Sequence, residues 1–449
     1  MSTTRSELLA AQDDRQGESN PVLDALASPR AHRIAVAVAL ALAVALGAAI
    51  LGGGGSDGPT GRLGGDYPAF YGASRMVLEG QGANLYDPAA QAAAQHDLMG
   101  ATSGEFVYHP YPPFLAGLLV PLAALGYRLS FMVWVVASVG MVAWALRLLR
   151  PHVRLIDRAF LPVLVATLTF WPLLRGIIGG QNTALTMLLS VGAWWALRER
   201  RDVLAGALLA GLTYKPQFAG PLIALVVVVE VGRHRRWGIL GGLAGAGAAL
   251  WAIGAWVNGW DWVWSWPKAV GDYPSIVARN DAANEVSFIG VARSIWGYGS
   301  PVALAIGGLL AVACAAALAG VWWRRGAEAN PLLRLDVGLL GCTLASLMLL
   351  PPHSMFYDSG LALVALWFLA DRATGRHGWR GDLAHGRPSL QLVAAAWLWG
   401  LVHLLSAADV VTPLLVVCTA LAILAGRVAL LQRPGEATAS NAVVEVTGR

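Results

Sequence analysis

Four groups of polar residues stand out of an apolar chain, and their types suit acid–base chemistry on an anionic substrate. The first is Asp66, in the run Gly64-Gly65-Asp66-Tyr67-Pro68-Ala69-Phe70-Tyr71 shortly beyond the first long apolar segment. A carboxylate set among Tyr67, Phe70 and Tyr71 is partly desolvated, and desolvation makes it a better general base. The plainer reading is a cap for the helix that Pro68 opens. Arg75 is a candidate ion-pair partner for Asp66 or an anion binder, and Asp87 before Pro88 reads as a turn or cap residue.

The other three groups interrupt apolar runs. Lys215, one of only two lysines, sits in Tyr214-Lys215-Pro216-Gln217. An ammonium at membrane depth is costly unless an anion or acceptor meets it. Arg175 precedes the amide pair Gln181-Asn182, and His353 follows Pro351-Pro352 and leads to Tyr357 and Asp358. Arg175, Lys215 and His353 together suit an anion site, with Gln181 and Asn182 as hydrogen-bond donors. For each of them snorkelling or bonding between helices is the alternative. From Asn258 the chain adds Gly259-Trp260-Asp261-Trp262-Val263-Trp264-Ser265-Trp266-Pro267, whose rings suit either a sugar face or the membrane interface. Asn280, Asn284, Glu285 and Ser287 follow as candidate hydrogen-bonding partners for a polar acceptor.

What must position these residues is a set of helices in lipid. The 449 residues are 56% hydrophobic and 13% charged, against about 25% charged in a soluble globular chain. Such a chain cannot cover a surface with polar groups, so lipid is its main solvent. Apolar runs fall near 34–54, 129–149, 159–174, 183–197, 203–214, 218–232, 237–257, 301–323, 335–350, 357–370, 388–405 and 410–426. Several are short of the roughly 17–25 residues of a continuous crossing, being broken by Pro or Gly beside polar residues. Interrupted helices at that depth need partners from protein or a wet cavity, so the breaks point to a site.

Charge sets the threading. With the amino terminus inside and 113–126 a half-inserted helix, 24 of the 32 Lys and Arg residues fall on the cytoplasmic side and seven outside, with Arg128 at the boundary. The expectation is an all-α polytopic membrane protein of about 12 transmembrane helices with both termini cytoplasmic. Residues 1–33 and 428–449 are expected as disordered cytoplasmic tails around a membrane domain at 34–427. Outer loops at about 55–112, the first of them helical, and 258–300 then share the non-cytoplasmic face with Arg175, Lys215 and His353. The first apolar run follows a long polar segment and reads as a retained helix, not a cleaved signal.

Other chemistries find no support. The net charge of +5 comes from short basic clusters between apolar runs, so nucleic acid is not an expected partner. Cys314, Cys342 and Cys418 lie in apolar stretches as small hydrophobes, without metal or disulfide spacing. No P-loop or HExxH occurs, no GxSxG has triad context, and no DxD pair offers a divalent-metal site for a nucleotide sugar. No cofactor or metal is expected. A monophosphate leaving group needs cations instead, which the helix breaks supply.

In these residues the chain resembles glycosyltransferase family 87, multi-spanning enzymes of the GT-C type that use polyprenyl-phosphate sugars. The resemblance rests on Gly65-Asp66-Tyr67-Pro68-Ala69-Phe70-Tyr71, Leu85-Tyr86-Asp87-Pro88, Tyr111-Pro112-Pro113-Phe114 with Pro121, Gly180-Gln181-Asn182 and Lys215-Pro216. It continues in Asn284-Glu285-Val286-Ser287 and in Pro351-Pro352-His353 with Tyr357-Asp358. It implies a GT-C type bundle and an inverting transfer in which Asp66 is the general base. Lys215, His353 and Arg175 would bind the donor phosphate and balance the charge on the departing polyprenyl phosphate. Arg75, Tyr71, Gln181, Asn182, Asn284 and Asp358 are the candidate substrate contacts. The sugar implied is a hexose, foremost mannose, passed to a lipid or glycan acceptor at the periplasmic face of a bacterial inner membrane. A transporter or flippase of lipid-linked sugars is the competing reading, though it calls for repeat symmetry and a polar path across the bilayer. A structural scaffold leaves Lys215 and His353 without a purpose.

Overall fold

The computed structural model describes residues 21–52, 64–99, 106–276, 284–373 and 411–431. Among these the regular structure is helical, apart from one isolated antiparallel bridge between Glu285 and Met355. Helices Pro21–Ala27 and Pro29–Gly52 start within the stretch expected as a tail. The tail after Leu431 and the expected span at 388–405 lie outside the described residues.

Six helices are long and apolar enough to cross a membrane: Pro29–Gly52, Tyr127–His152, Pro216–Arg233, Gly238–Asn258, Pro301–Arg325 and Leu414–Leu431. A seventh forms if Phe160–Thr169 and Trp171–Ile178, bent by 71°, make one span. The described residues thus hold fewer long spans than the dozen the apolar runs suggest. Prolines shorten the rest. Pro172 lacks the N–H that would bond the Leu168 carbonyl, and its ring collides there, so the helix breaks at Phe170. Asp202–Tyr214 stops before Pro216, where Lys215 is held at φ −120° and ψ 78°. Val337–Leu347 stops ahead of Pro351 and Pro352. Pro113–Leu118 and Val120–Ala123 are short helices leading into Tyr127–Leu149. In the first expected outer loop, Tyr67–Leu78 and Pro88–Met99 are helical, as the sequence leads one to expect.

The bundle packs closely where side chains are smallest. A Cβ on Gly206 would stand 2.0 Å from the Ile239 carbonyl, and one on Gly242 2.0 Å from the Val203 carbonyl. These two glycines let Asp202–Gly211 and Gly238–Asn258 touch backbone to backbone, a packing mode suited to helices in lipid.

One end of the bundle is tied by buried charge. Pro216–Val226 runs on into a π-helical turn, Val227–Arg233, which sets Glu230 inward with no exposed surface. Arg334 grips both its oxygens, Nε to Oε1 and Nη2 to Oε2, each at 2.7 Å. Arg236 adds Nη1 to Oε2 at 2.6 Å and reaches Asp202 with Nε at 3.0 Å. The network joins the starts and ends of several helices and leaves neither oxygen of Glu230 unmet.

Candidate active site

At the other end two glycine turns interlock. Trp171–Ile178 finishes in a Schellman motif, with Gly180 N–H on the Ile177 carbonyl and Gln181 N–H on the Gly176 carbonyl. Gly180 takes φ +71°, and a Cβ on it would fall 2.5 Å from the Cβ of Tyr67. Opposite, Gly65 takes φ +51° and presses on the backbone of Gly179. The Asp66 N–H donates to the Gly179 carbonyl at 2.9 Å. Only glycine permits both conformations at this spacing, which is how residues far apart in sequence come to share one turn.

Asp66 precedes Tyr67–Leu78 at the capping position, yet its side chain makes no capping hydrogen bond. Its Oδ2 instead accepts from the Gln181 amide nitrogen. Two residues on, Thr183 donates to Asp358 Oδ1 at 3.2 Å, and Lys215 Nζ donates to the same oxygen at 2.8 Å. A hydrogen-bonded path therefore runs from Asp66 through the 181–183 backbone to Asp358 and Lys215. Tyr214, the neighbour of Lys215, bonds the Thr186 hydroxyl at 2.6 Å and donates to the Asn182 carbonyl at 3.2 Å. Asn182 is buried with both amide atoms unpartnered among the described residues, as is Gln181 Oε1. Buried polar atoms without partners are uncommon and mark where a ligand can supply them.

The expected cations fare differently from one another. Lys215 is buried and neutralised by Asp358, so both are engaged with each other before any substrate arrives. Arg175 is partly exposed on Trp171–Ile178, and its Nη1 lies 2.9 Å from where a Cβ on Gly179 would stand. Its guanidinium and the Asp66 backbone thus meet the same glycine. His353 is 41% exposed at its side chain, with Nδ1 2.7 Å from Glu285 Oε1. The turn that follows leads on to Asp358, whose N–H bonds the Met355 carbonyl.

Arg75 does not pair with Asp66. Nine residues along a helix is half a turn out of phase, and Arg75 bonds Glu79 at 2.8 Å instead, which raises its pKa. Tyr71 is buried and donates to the Leu125 carbonyl at 2.9 Å. Asn284 is exposed. Asp87 accepts from Ala89 N–H at 2.9 Å, the turn role read for it. The Trp run divides: Trp260 and Trp264 are exposed, whereas Trp262 is buried against Gly254 and Trp266 donates to the Pro110 carbonyl at 3.0 Å. His109 is buried between Phe70 and Tyr111 with neither ring nitrogen partnered among the described residues, and burial pushes its pKa down to about 3.

The sequence model of glycosyltransferase family 87 matches residues 108–352, more than half of the chain. The chain belongs to glycosyltransferase family 87. The matched span holds Arg175, Gln181, Asn182, Lys215 and Asn284; Asp66, Tyr71 and Arg75 precede it, and His353 and Asp358 follow it. Both flanking groups are nonetheless tied into it, Asp66 by Gln181, Asp358 by Lys215 and His353 by Glu285. No curated protein and no solved structure matches the chain. Membership of family 87 makes this multi-helical membrane chain a glycosyltransferase. Thr183, Tyr214 and Thr186 join the cluster although their residue types do not mark them as site residues. Their only sequence signal is nearness to a helix break.

Proposed function

We propose that this chain is an inverting glycosyltransferase that moves a hexose, foremost mannose, from a polyprenyl-phosphate donor to a lipid or glycan acceptor on the non-cytoplasmic side of the membrane. The observation that carries the reading is the Asp66 carboxylate, withheld from helix capping and held by Gln181 within the cluster that contains Lys215 and Asp358. In the reaction Asp66 takes the proton of the acceptor hydroxyl as its oxygen forms the new bond to the anomeric carbon. The bond from that carbon to the phosphate oxygen breaks, and polyprenyl phosphate departs with the electron pair. Arg175 and His353 balance the charge gathering there. Lys215 shares that task with the N–H groups that Asp358 does not occupy, since an ammonium carries three. The unpartnered amides of Asn182 and Gln181 suit the sugar hydroxyls.

The test is acceptor-dependent release of polyprenyl phosphate by the purified full chain given polyprenyl-phosphate mannose labelled in the sugar, with membrane lipid extract as acceptor. Labelled sugar on a new lipid or glycan with inverted anomeric configuration is the expected result. Label that crosses the vesicle membrane still attached to phosphate would overturn the reading in favour of a flippase.

A further inference from the structure

Three interruptions of the bundle, far apart in sequence, meet at one oxygen. Asp358 Oδ1 takes the Thr183 hydroxyl at 3.2 Å and the Lys215 ammonium at 2.8 Å. Thr183 opens the helix Thr183–Arg198 just past the glycine turn, and Lys215 precedes Pro216–Val226. Asp358 lies in the 3-10 helix Phe356–Ala362, beyond Pro351-Pro352. All three side chains are buried. The neighbours of Asp358 press on both arms of the glycine turn. A Cβ on Gly176 would stand 3.3 Å from the Tyr357 Cβ, and one on Gly360 would stand 3.3 Å from the Thr183 Cγ2. Tyr214, next to Lys215, donates to the Asn182 carbonyl at 3.2 Å. Residues 182 and 183 are thus held by side chains from two other breaks, and the residue before them is Gln181, whose amide nitrogen meets Asp66.

We propose that Asp358 is a positioning residue for the general base: by joining Thr183 to Lys215 it fixes the turn that carries Gln181, and Gln181 in turn fixes the carboxylate of Asp66. A buried ion pair adds little stability over apolar packing of the same size, so stability alone does not account for Lys215 and Asp358. A fixed register between three helix breaks does. The register matters because a reacting group misplaced by about 1 Å costs on the order of 100-fold in rate. No contact with substrate is asked of Asp358 in this role. The effect on sugar transfer rests on the function proposed above; the hold on Gln181 does not.

Two readouts on the full-length protein in lipid bilayers test this. Thr183→Val cuts the link to Asp358 and leaves the ion pair whole. It is expected to lower kcat about 10–100-fold with KM for the donor within about twofold, and Thr183→Ser should restore the rate. Placed on Asp66→Asn, Thr183→Val should cost no more than about twofold further, since it acts through the base. The second readout is the side-chain amide signal of Gln181 in 15N-glutamine NMR, assigned as the one missing from Gln181→Met. Thr183→Val is expected to move it. So is the double variant D358L/K215M, which replaces the buried pair by apolar groups, leaves no bare charge and should unfold near the wild-type temperature. A Gln181 signal unmoved in both variants, or an equal loss of kcat with and without Asp66, would overturn the proposal. Absence of transfer by the wild type would remove the reaction, while the Gln181 signal still decides whether Asp358 and Thr183 place that side chain.

Discussion

Glu230 and Asp66 are two carboxylates in one apolar bundle, set toward opposite ends of it. Thr183–Arg198 and Pro216–Arg233 each run from the Asp66 cluster to the Glu230 network, roughly 25 Å at 1.5 Å per residue. At the Glu230 end every carboxylate oxygen of that residue is met by arginine. At the Asp66 end polar atoms of Asn182, Gln181 and Glu285 are buried with no partner among the described residues. A closed network holds helices together; an open one waits for something to complete it. The same chemical group serves stability at one end and, in the proposed reaction, proton transfer at the other.

The largest effect expected from breaking this contrast is at Glu230. Glu230→Gln leaves Arg334 without its counter-charge and Arg236 with Asp202 alone, and should cost about 3–5 kcal/mol, seen as a lower unfolding temperature in detergent. An unfolding temperature equal to wild type would show that the network does not hold the bundle. Gly180→Ala comes next. The residue sits at φ +71° against Tyr67, and about 1–3 kcal/mol of strain is expected, with the turn that brings Gln181 to Asp66 displaced and transfer reduced. Normal transfer by that variant would mean the interlocked glycines are incidental.

A smaller, pH-dependent effect concerns His109. Burial lowers its pKa from 6.5 to about 3, so between those values the unfolded chain binds a proton that the folded one refuses. Its share of stability is full above pH 6.5 and is lost as the pH falls toward 3. His109→Leu should flatten that part of the acid unfolding profile; an identical profile would show that His109 plays no part in acid unfolding. The smallest effect is expected at Arg75, whose bond to Glu79 is exposed. Arg75→Gln should change stability by less than about 1 kcal/mol and leave transfer intact, whereas loss of transfer would restore it as a substrate contact.

Much of the Asp66 end is legible in the sequence because prolines and glycines write themselves into the backbone. The breaks at Gly180-Gln181-Asn182, before Pro216 and at Pro351-Pro352 fall where those residues put them, and so do most helix limits. Pairings are harder. Lys215 with Asp358 and Glu285 with His353 join residues 143 and 68 positions apart, and nothing in local spacing announces which charge answers which. Lys215 therefore reads as an open cation from the sequence and is found neutralised in the fold. Glu230 is an acid inside an apolar run, the signal of a buried partner, but its arginines come from other parts of the chain. Arg75 misleads for a geometric reason: a helix carries a residue nine positions on to its far side.

The most direct measurement is sugar transfer by Asp66→Asn, made alongside its unfolding temperature. If Asp66 is the base, transfer falls by about 10²–10⁴-fold while unfolding stays near the wild-type temperature, because the substituted side chain keeps an oxygen for the Gln181 amide. Wild-type transfer rates from that variant, with donor and acceptor saturating, would contradict a catalytic role for Asp66.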